Sequence, residues 1–176
     1  MSVSYSNMSL ILVLILSIAE SPRANVVDEQ ATCTAAHSDH VETLFNRRKA
    51  SNKALREAER ALALLLQSCP TIPRRDKLQT QLKLVQEESA QFHLQMAQFY
   101  LSGRVDGRGL MQGALFRLKR IYDEYPNFSR RDEALYMLAD VSAQVGNEEE
   151  ATRYFRSVIT EFPESKYAKL ARQRLE

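Results

Sequence analysis

The chain has 176 residues, 44% of them hydrophobic, and only five glycines, which suits one globular or solenoid domain and excludes a second large one. Its 24 basic and 22 acidic residues are interspersed and leave a net charge of +2. That asymmetry is too small for a nucleic-acid partner, and the basic clusters Arg47-Arg48-Lys49 and Arg74-Arg75 read as solvated helix faces.

At the amino terminus, Leu10 to Leu16 form an unbroken apolar run, extended by Ile18 and Ala19 and closed by Glu20. Its length fits a signal-peptide core and falls short of the ~20 residues of a membrane-spanning helix. Ser17-Ile18-Ala19 puts small residues where a signal peptidase reads, so cleavage after Ala19 is expected. The lack of Lys or Arg before Arg23 leaves an uncleaved membrane anchor open, with residues 8–19 as the tether. Residues 1–19 are therefore assigned to a signal peptide or anchor, 20–37 to a flexible leader and 38–176 to the folded domain. Cys33 follows Gln30-Ala31-Thr32, well past the apolar run, so no lipid anchor is expected there.

In the folded part, His40 to Lys49 predicts a short first helix with a turn at Ala50 to Asn52. Ala58, Leu62, Leu65 and Pro70 then introduce a pattern that returns at Ala114, Leu118, Ile121 and Pro126, and again at Ala151, Phe155, Val158 and Pro163. Offsets of four and seven set the three apolar positions on one helical face, and the alanine allows a partner helix to come close. The proline ends each helix, having no N–H to donate. Each copy is thus the second helix of a hairpin.

Between the first two copies, Pro73 to Leu101 predicts a long helix, followed by a glycine-rich connection from Gly103 to Gly113. Gly107-Arg108-Gly109 lacks the strand and third glycine of a phosphate cradle and reads as an interhelical loop. In the last hairpin, Asp132 to Gln144 forms the first helix with Ser129 as N-cap, Gly146-Asn147 the turn, and Asn147 the cap of an acid-led second helix. Ser165 caps a final helix, with Tyr167, Leu170 and Ala171 inward. The expected fold is all-α: a right-handed α-solenoid of hairpins at about 38–70, 73–126 and 129–163, with a capping helix at 165–176.

No catalytic, cofactor or metal site is expected. The histidines are His37, His40 and His93, and Cys33, His37 and His40 lie in or next to the leader instead of in a built site. A hairpin turning near Ser51 brings Cys33 and Cys69 to one end, where a disulfide is feasible; the alternative is that Cys69 packs as a small apolar residue before its proline. The first helices leave Gln91, Leu94, Gln98 and Leu101, then Glu133, Tyr136 and Asp140, facing a concave surface. A tyrosine beside acids suits a peptide with a basic residue; an ordinary solvated face is the other reading.

Ala151, Phe155 and Pro163, with Leu135, Leu138, Ala139 and Gly146, resemble the tetratricopeptide family's signature, and Ser142 stands where that family usually has Tyr. Residues 54 to 176 also resemble periplasmic repeat lipoproteins of the BamD (YfiO) type, which belong to the machinery that assembles outer-membrane β-barrel proteins. Ala97 to Leu101, Leu118 to Pro126, Ser129 to Asp140 and Tyr154 to Tyr167 carry the likeness. The resemblance implies a non-catalytic scaffold exported to the periplasm or the periplasmic face of the outer membrane, with subunits of that machinery as partners. Membrane association would run through residues 8–19 or through the partners. A general periplasmic tetratricopeptide adaptor, for instance in envelope division, and a membrane-tethered, self-associating structural protein are the alternatives.

Overall fold

In a computed structural model, residues 36–102 and 108–176 are described. They form α1 (Ala36–Arg47), a 3-10 turn (Arg48–Ala50), α2 (Asn52–Ser68), α3 (Arg75–Leu101), α4 (Arg108–Glu124), α5 (Arg131–Gln144), α6 (Glu148–Glu161) and α7 (Lys166–Leu175). Among the described residues there is no strand. Each helix packs on the next along the chain, and α7 also reaches back to α5. Neighbour-on-neighbour packing with an added contact two helices away is consistent with a tetratricopeptide-like helical repeat.

The Ala-to-Pro pattern is the structural unit. Ala58, Leu62 and Leu65 on α2, Ala114, Leu118 and Ile121 on α4, and Ala151, Phe155 and Val158 on α6 are all buried. Each helix ends alike: the N–H of the residue before the proline donates to the pattern's last apolar carbonyl, Cys69 to Leu65, Tyr125 to Ile121 and Phe162 to Val158. The chain then turns through bonds from Ile72 to Cys69, Phe128 to Tyr125 and Ser165 to Phe162. Three copies of one sequence pattern thus give three copies of one helix end.

Pro70 and Pro126 have no N–H for the carbonyls four residues earlier, Leu66 and Tyr122. Arginines supply the missing donor. Arg75 Nη1 lies 3.0 Å from the Leu66 oxygen and Arg131 Nη1 2.9 Å from that of Tyr122, each arginine five residues after its proline. Arg75 is therefore no member of a solvated face. Neither is Arg48, which is 2.8 Å from Glu88 and stacked 4.0 Å from the Phe45 ring centroid. For these two the charge-run expectation failed because it weighs only local sequence, whereas their partners, the Leu66 carbonyl freed by Pro70 and the Glu88 carboxylate, are supplied by the fold; Arg47, Lys49 and Arg74 are exposed as expected.

Other boundaries shift for local reasons. α1 begins at Ala36 and passes into the 3-10 turn, and Ser51 caps α2 by accepting from the Ala54 N–H at 3.1 Å. α3 begins two residues after Pro73, beyond Arg74 in the left-handed region (φ 61°). The expected Gly103–Gly113 connection is shorter, since α4 already contains Gly109 and Gly113. At Gly113 an added Cβ would lie 3.2 Å from the Tyr100 ring, so the glycine permits α3 and α4 to approach. Ser129 does not cap α5; its hydroxyl and N–H both donate to Glu87. Asn147 makes no side-chain cap, although Gly146 does turn the chain at φ +86°. Ser165 caps α7 through the Tyr167 N–H, as expected, but Leu170 faces outward while Ala168 and Ala171 fill the interior.

Among the described residues two buried clusters make up the interior. The first joins α1, α2 and the first half of α3 through Val41, Leu55, Leu62, Leu65, Leu78 and Val85. The second runs from Ala90, Leu94 and Ala97 on α3 through α4, α5 and α6 to Ala168 and Ala171 on α7. Between them lies a polar seam. Glu59 accepts from Ser89 Oγ at 2.8 Å and from the Tyr125 hydroxyl at 3.2 Å. His93 Nδ1 is 3.3 Å from Arg117 Nη1. The long helix α3 crosses the seam and belongs to both cores.

Residues 1–35 and 103–107 lie outside the described part, and with them the expected signal segment, most of the leader and Cys33. Among the described residues no helix is long and apolar enough to cross a membrane.

Candidate protein-binding face

Side chains of the alternate helices α3, α5 and α7 meet on one side of the array, and five of the seven residues expected there, Gln91, Gln98, Glu133, Tyr136 and Asp140, take part in those contacts. Arg130, just before α5, organises the centre. Its guanidinium grips Glu133 at 2.8 and 2.9 Å, and Nη1 reaches Gln91 Oε1 at 3.2 Å. Gln98 Nε2 donates to the same carboxylate at 3.0 Å. The forked guanidinium matches a carboxylate in a way a lysine could not, so this link between α3 and α5 is directional as well as electrostatic.

Further along, the Tyr136 ring lies 5.7 Å from Phe155 and 5.6 Å from Tyr167, closing the gap between α5, α6 and α7. Burial and the nearby Glu133 carboxylate push the Tyr167 hydroxyl above its ordinary range, so it remains a neutral donor. Asp140 accepts from Gln144 at 2.7 Å and pairs with Arg174. Leu101 is half-buried against the second core. The face is thus a paired polar surface with an aromatic inset.

Leu94 corrects the expectation. It is 0% exposed, because Ala90, Leu94 and Ala97 at offsets of four and seven form the stripe that α3 turns into the second core. Gln91 and Gln98 flank that stripe, so only the glutamines reach the surface. Arg130 is the residue sequence reasoning missed. Its signal was an arginine three residues before Glu133, a spacing at which side chains near a helix start can meet.

The strongest electrostatic perturbations lie in the seam, not on this face. Burial raises the Glu59 carboxyl above its ordinary value, opposed by bonds from Ser89 and Tyr125. Burial and then the Glu59 charge push the Tyr125 hydroxyl up to about 12. Burial, then Arg120, Arg117 and Arg56, hold the His93 imidazole down to about 4. With Ser89 at 3% and His93 at 4% exposed, these groups tie helices together and present no accessible nucleophile. Among the described residues no three His, Cys, Asp or Glu side chains are placed to share a metal. Cys69 is buried and is not a free thiol; Cys33, its expected partner, lies outside the described residues.

Comparison with known families matches a tetratricopeptide repeat to residues 133–165. That stretch holds most of α5, all of α6 and the Pro163 turn, and includes Glu133, Tyr136 and Asp140. Tetratricopeptide repeats mediate protein–protein interactions, and their families are generally non-catalytic. No curated protein matches the chain.

Proposed function

We propose that the chain is a non-catalytic scaffold of the cell envelope that binds other proteins through the α3, α5 and α7 face and serves outer-membrane β-barrel assembly. The observation that carries the binding role is the matched repeat at residues 133–165, whose first helix supplies Glu133, Tyr136 and Asp140 to one continuous surface. A partner segment with a basic side chain and an apolar anchor fits it: the base competes for Glu133 or Asp140 while the anchor lies on Tyr136 and Tyr167.

The envelope part rests on the sequence likeness of residues 129–140 and 154–167 to BamD-type repeats and on the apolar run at Leu10 to Leu16. In this reading the helical hairpins wind as a right-handed solenoid, the chain is exported, and Cys33 and Cys69 form a disulfide in an oxidising compartment.

Pull-down from envelope extract in mild detergent tests the assignment. Recovery of the central barrel-assembly protein by the wild-type chain, and its loss with Tyr136→Ala, is the expected result. Recovery of division proteins alone would replace the assignment with a general periplasmic adaptor. Sequencing the mature amino terminus should find it near Glu20, whereas an intact Met1 counts against cleavage. Thiol titration of the exported, denatured protein should detect no free thiol before reduction; two free thiols would remove the disulfide.

A further inference from the structure

We propose that the carboxy-terminal half of α3 carries a second docking surface, which takes an acidic amphipathic helix of another protein. Leu78, Leu82, Val85, Ser89, Phe92, Met96 and Phe99 follow one another at alternating steps of four and three, so they form a single stripe along α3. Its first part is covered: Leu78, Leu82 and Val85 pack into the core built with α1 and α2. Its second part is not. Phe92 and Met96 are half-buried, and Phe99 is 47% exposed. The uncovered segment continues an interface that α2 already occupies lower down, so a helix in line with α2 would extend the same packing.

Charge selects the occupant. Phe116 on α4, 62% exposed, borders the stripe, and the Arg117 guanidinium lies 5.9 Å from both the Phe92 and the Phe116 ring centroids. Its hydrogen-bond partner is the neutral His93 ring, and among the described residues it has no carboxylate partner. Exposed Arg56 on α2 and Lys119 on α4 are likewise without one. A cation held between aromatic rings and left unneutralised beside an apolar stripe complements a glutamate or aspartate flanked by bulky apolar side chains. The surface is separate from the first face, because Gln91 and Gln98 precede Phe92 and Phe99 by one residue each and so sit about 100° around the helix.

The test uses the full chain and a short fluorescein-labelled helical peptide of leucine, phenylalanine and glutamate, read by fluorescence anisotropy. Saturable binding is expected, weakened roughly tenfold or more by both Phe116→Ser and Arg117→Gln, and partly restored by Arg117→Lys. Arg156→Gln, which removes an equal charge from the exposed side of α6, should leave it unchanged. Circular dichroism verifies folding, and Phe116 is exposed enough that its replacement leaves the core intact. The proposal is overturned by absence of saturable binding, by equal binding of the glutamine-for-glutamate peptide, or by an equal effect of Arg156→Gln. Phe116-dependent binding to phosphatidylglycerol vesicles without peptide binding would also overturn it, in favour of a membrane surface.

Discussion

The two cores solve the same packing problem with different materials. Among the described residues the second contains nineteen buried hydrophobic residues, mixing the aromatics Tyr125, Phe128, Tyr154 and Phe155 with eight alanines. The first contains ten among the described residues, chiefly leucine and valine, and of those ten none is aromatic and only Ala58 is alanine. A mix of large aromatics and small alanines admits few alternative arrangements, whereas leucines of similar size can slide past one another. The contrast explains why the candidate face, which needs α3, α5 and α7 held in register, is built on the second core.

Removing a keystone from each core separates them most strongly. Phe155→Ala should cost about 3–5 kcal/mol, because Phe155 is buried and touches the Tyr136 ring. Leu62→Ala should cost about 2–5 kcal/mol by the same mechanism. Urea unfolding measures both, and hydrogen exchange locates them. Lost protection in α5 to α7 is expected for the first variant and in α1 and α2 for the second. Equal loss throughout the chain from either would mean one cooperative core.

Next in size is the arginine that completes a proline-ended helix. Arg131→Met leaves the Tyr122 carbonyl without its donor and removes the pairing to Glu161. A loss of about 1–3 kcal/mol is expected in urea denaturation.

The seam between the cores makes their junction sensitive to pH. The unfolded chain takes up the His93 proton near pH 6.5, the folded chain only near pH 4. Stability therefore falls as pH drops through that window. Glu59 has the opposite sign, since its raised value adds stability as the folded carboxyl is protonated. His93→Gln should consequently lose less stability than wild type between about pH 6.5 and about pH 4, measured by urea midpoints. An equal loss would detach His93 from the acid response.

The smallest effect concerns Ser142, which is 0% exposed with a hydroxyl that has no hydrogen-bond partner. Ser142→Ala should be neutral or stabilising by up to about 1 kcal/mol in thermal unfolding. A clear loss would show that the hydroxyl has a role in the second core.

Much of this was legible beforehand, for identifiable reasons. The Ala-to-Pro pattern combines helical periodicity with a chain stop, and both are local, so helices α2, α4 and α6 and their ends could be read directly. Gln98, Glu133, Tyr136 and Asp140 were legible because surface positions follow from core periodicity. Leu94 was misplaced because the stripes facing α4 and α5 overlap on α3, and a single helix does not reveal which side its neighbours occupy. Ser129 and Arg75 were misread, and the role of Arg131 was not read at all, because their partners come near only in the folded chain: the carbonyls of Leu66 and Tyr122 through the proline turns, and Glu87 through the packing of α3.

The central claim is that partners engage the α3, α5 and α7 face. A photo-crosslinking amino acid placed at Gln98 on that face, and separately at Thr152 on α6, tests it inside cells. The account predicts a discrete protein adduct from position 98 that Tyr136→Ala abolishes, and none from position 152. No adduct from position 98, or the same adduct from both positions, would contradict it.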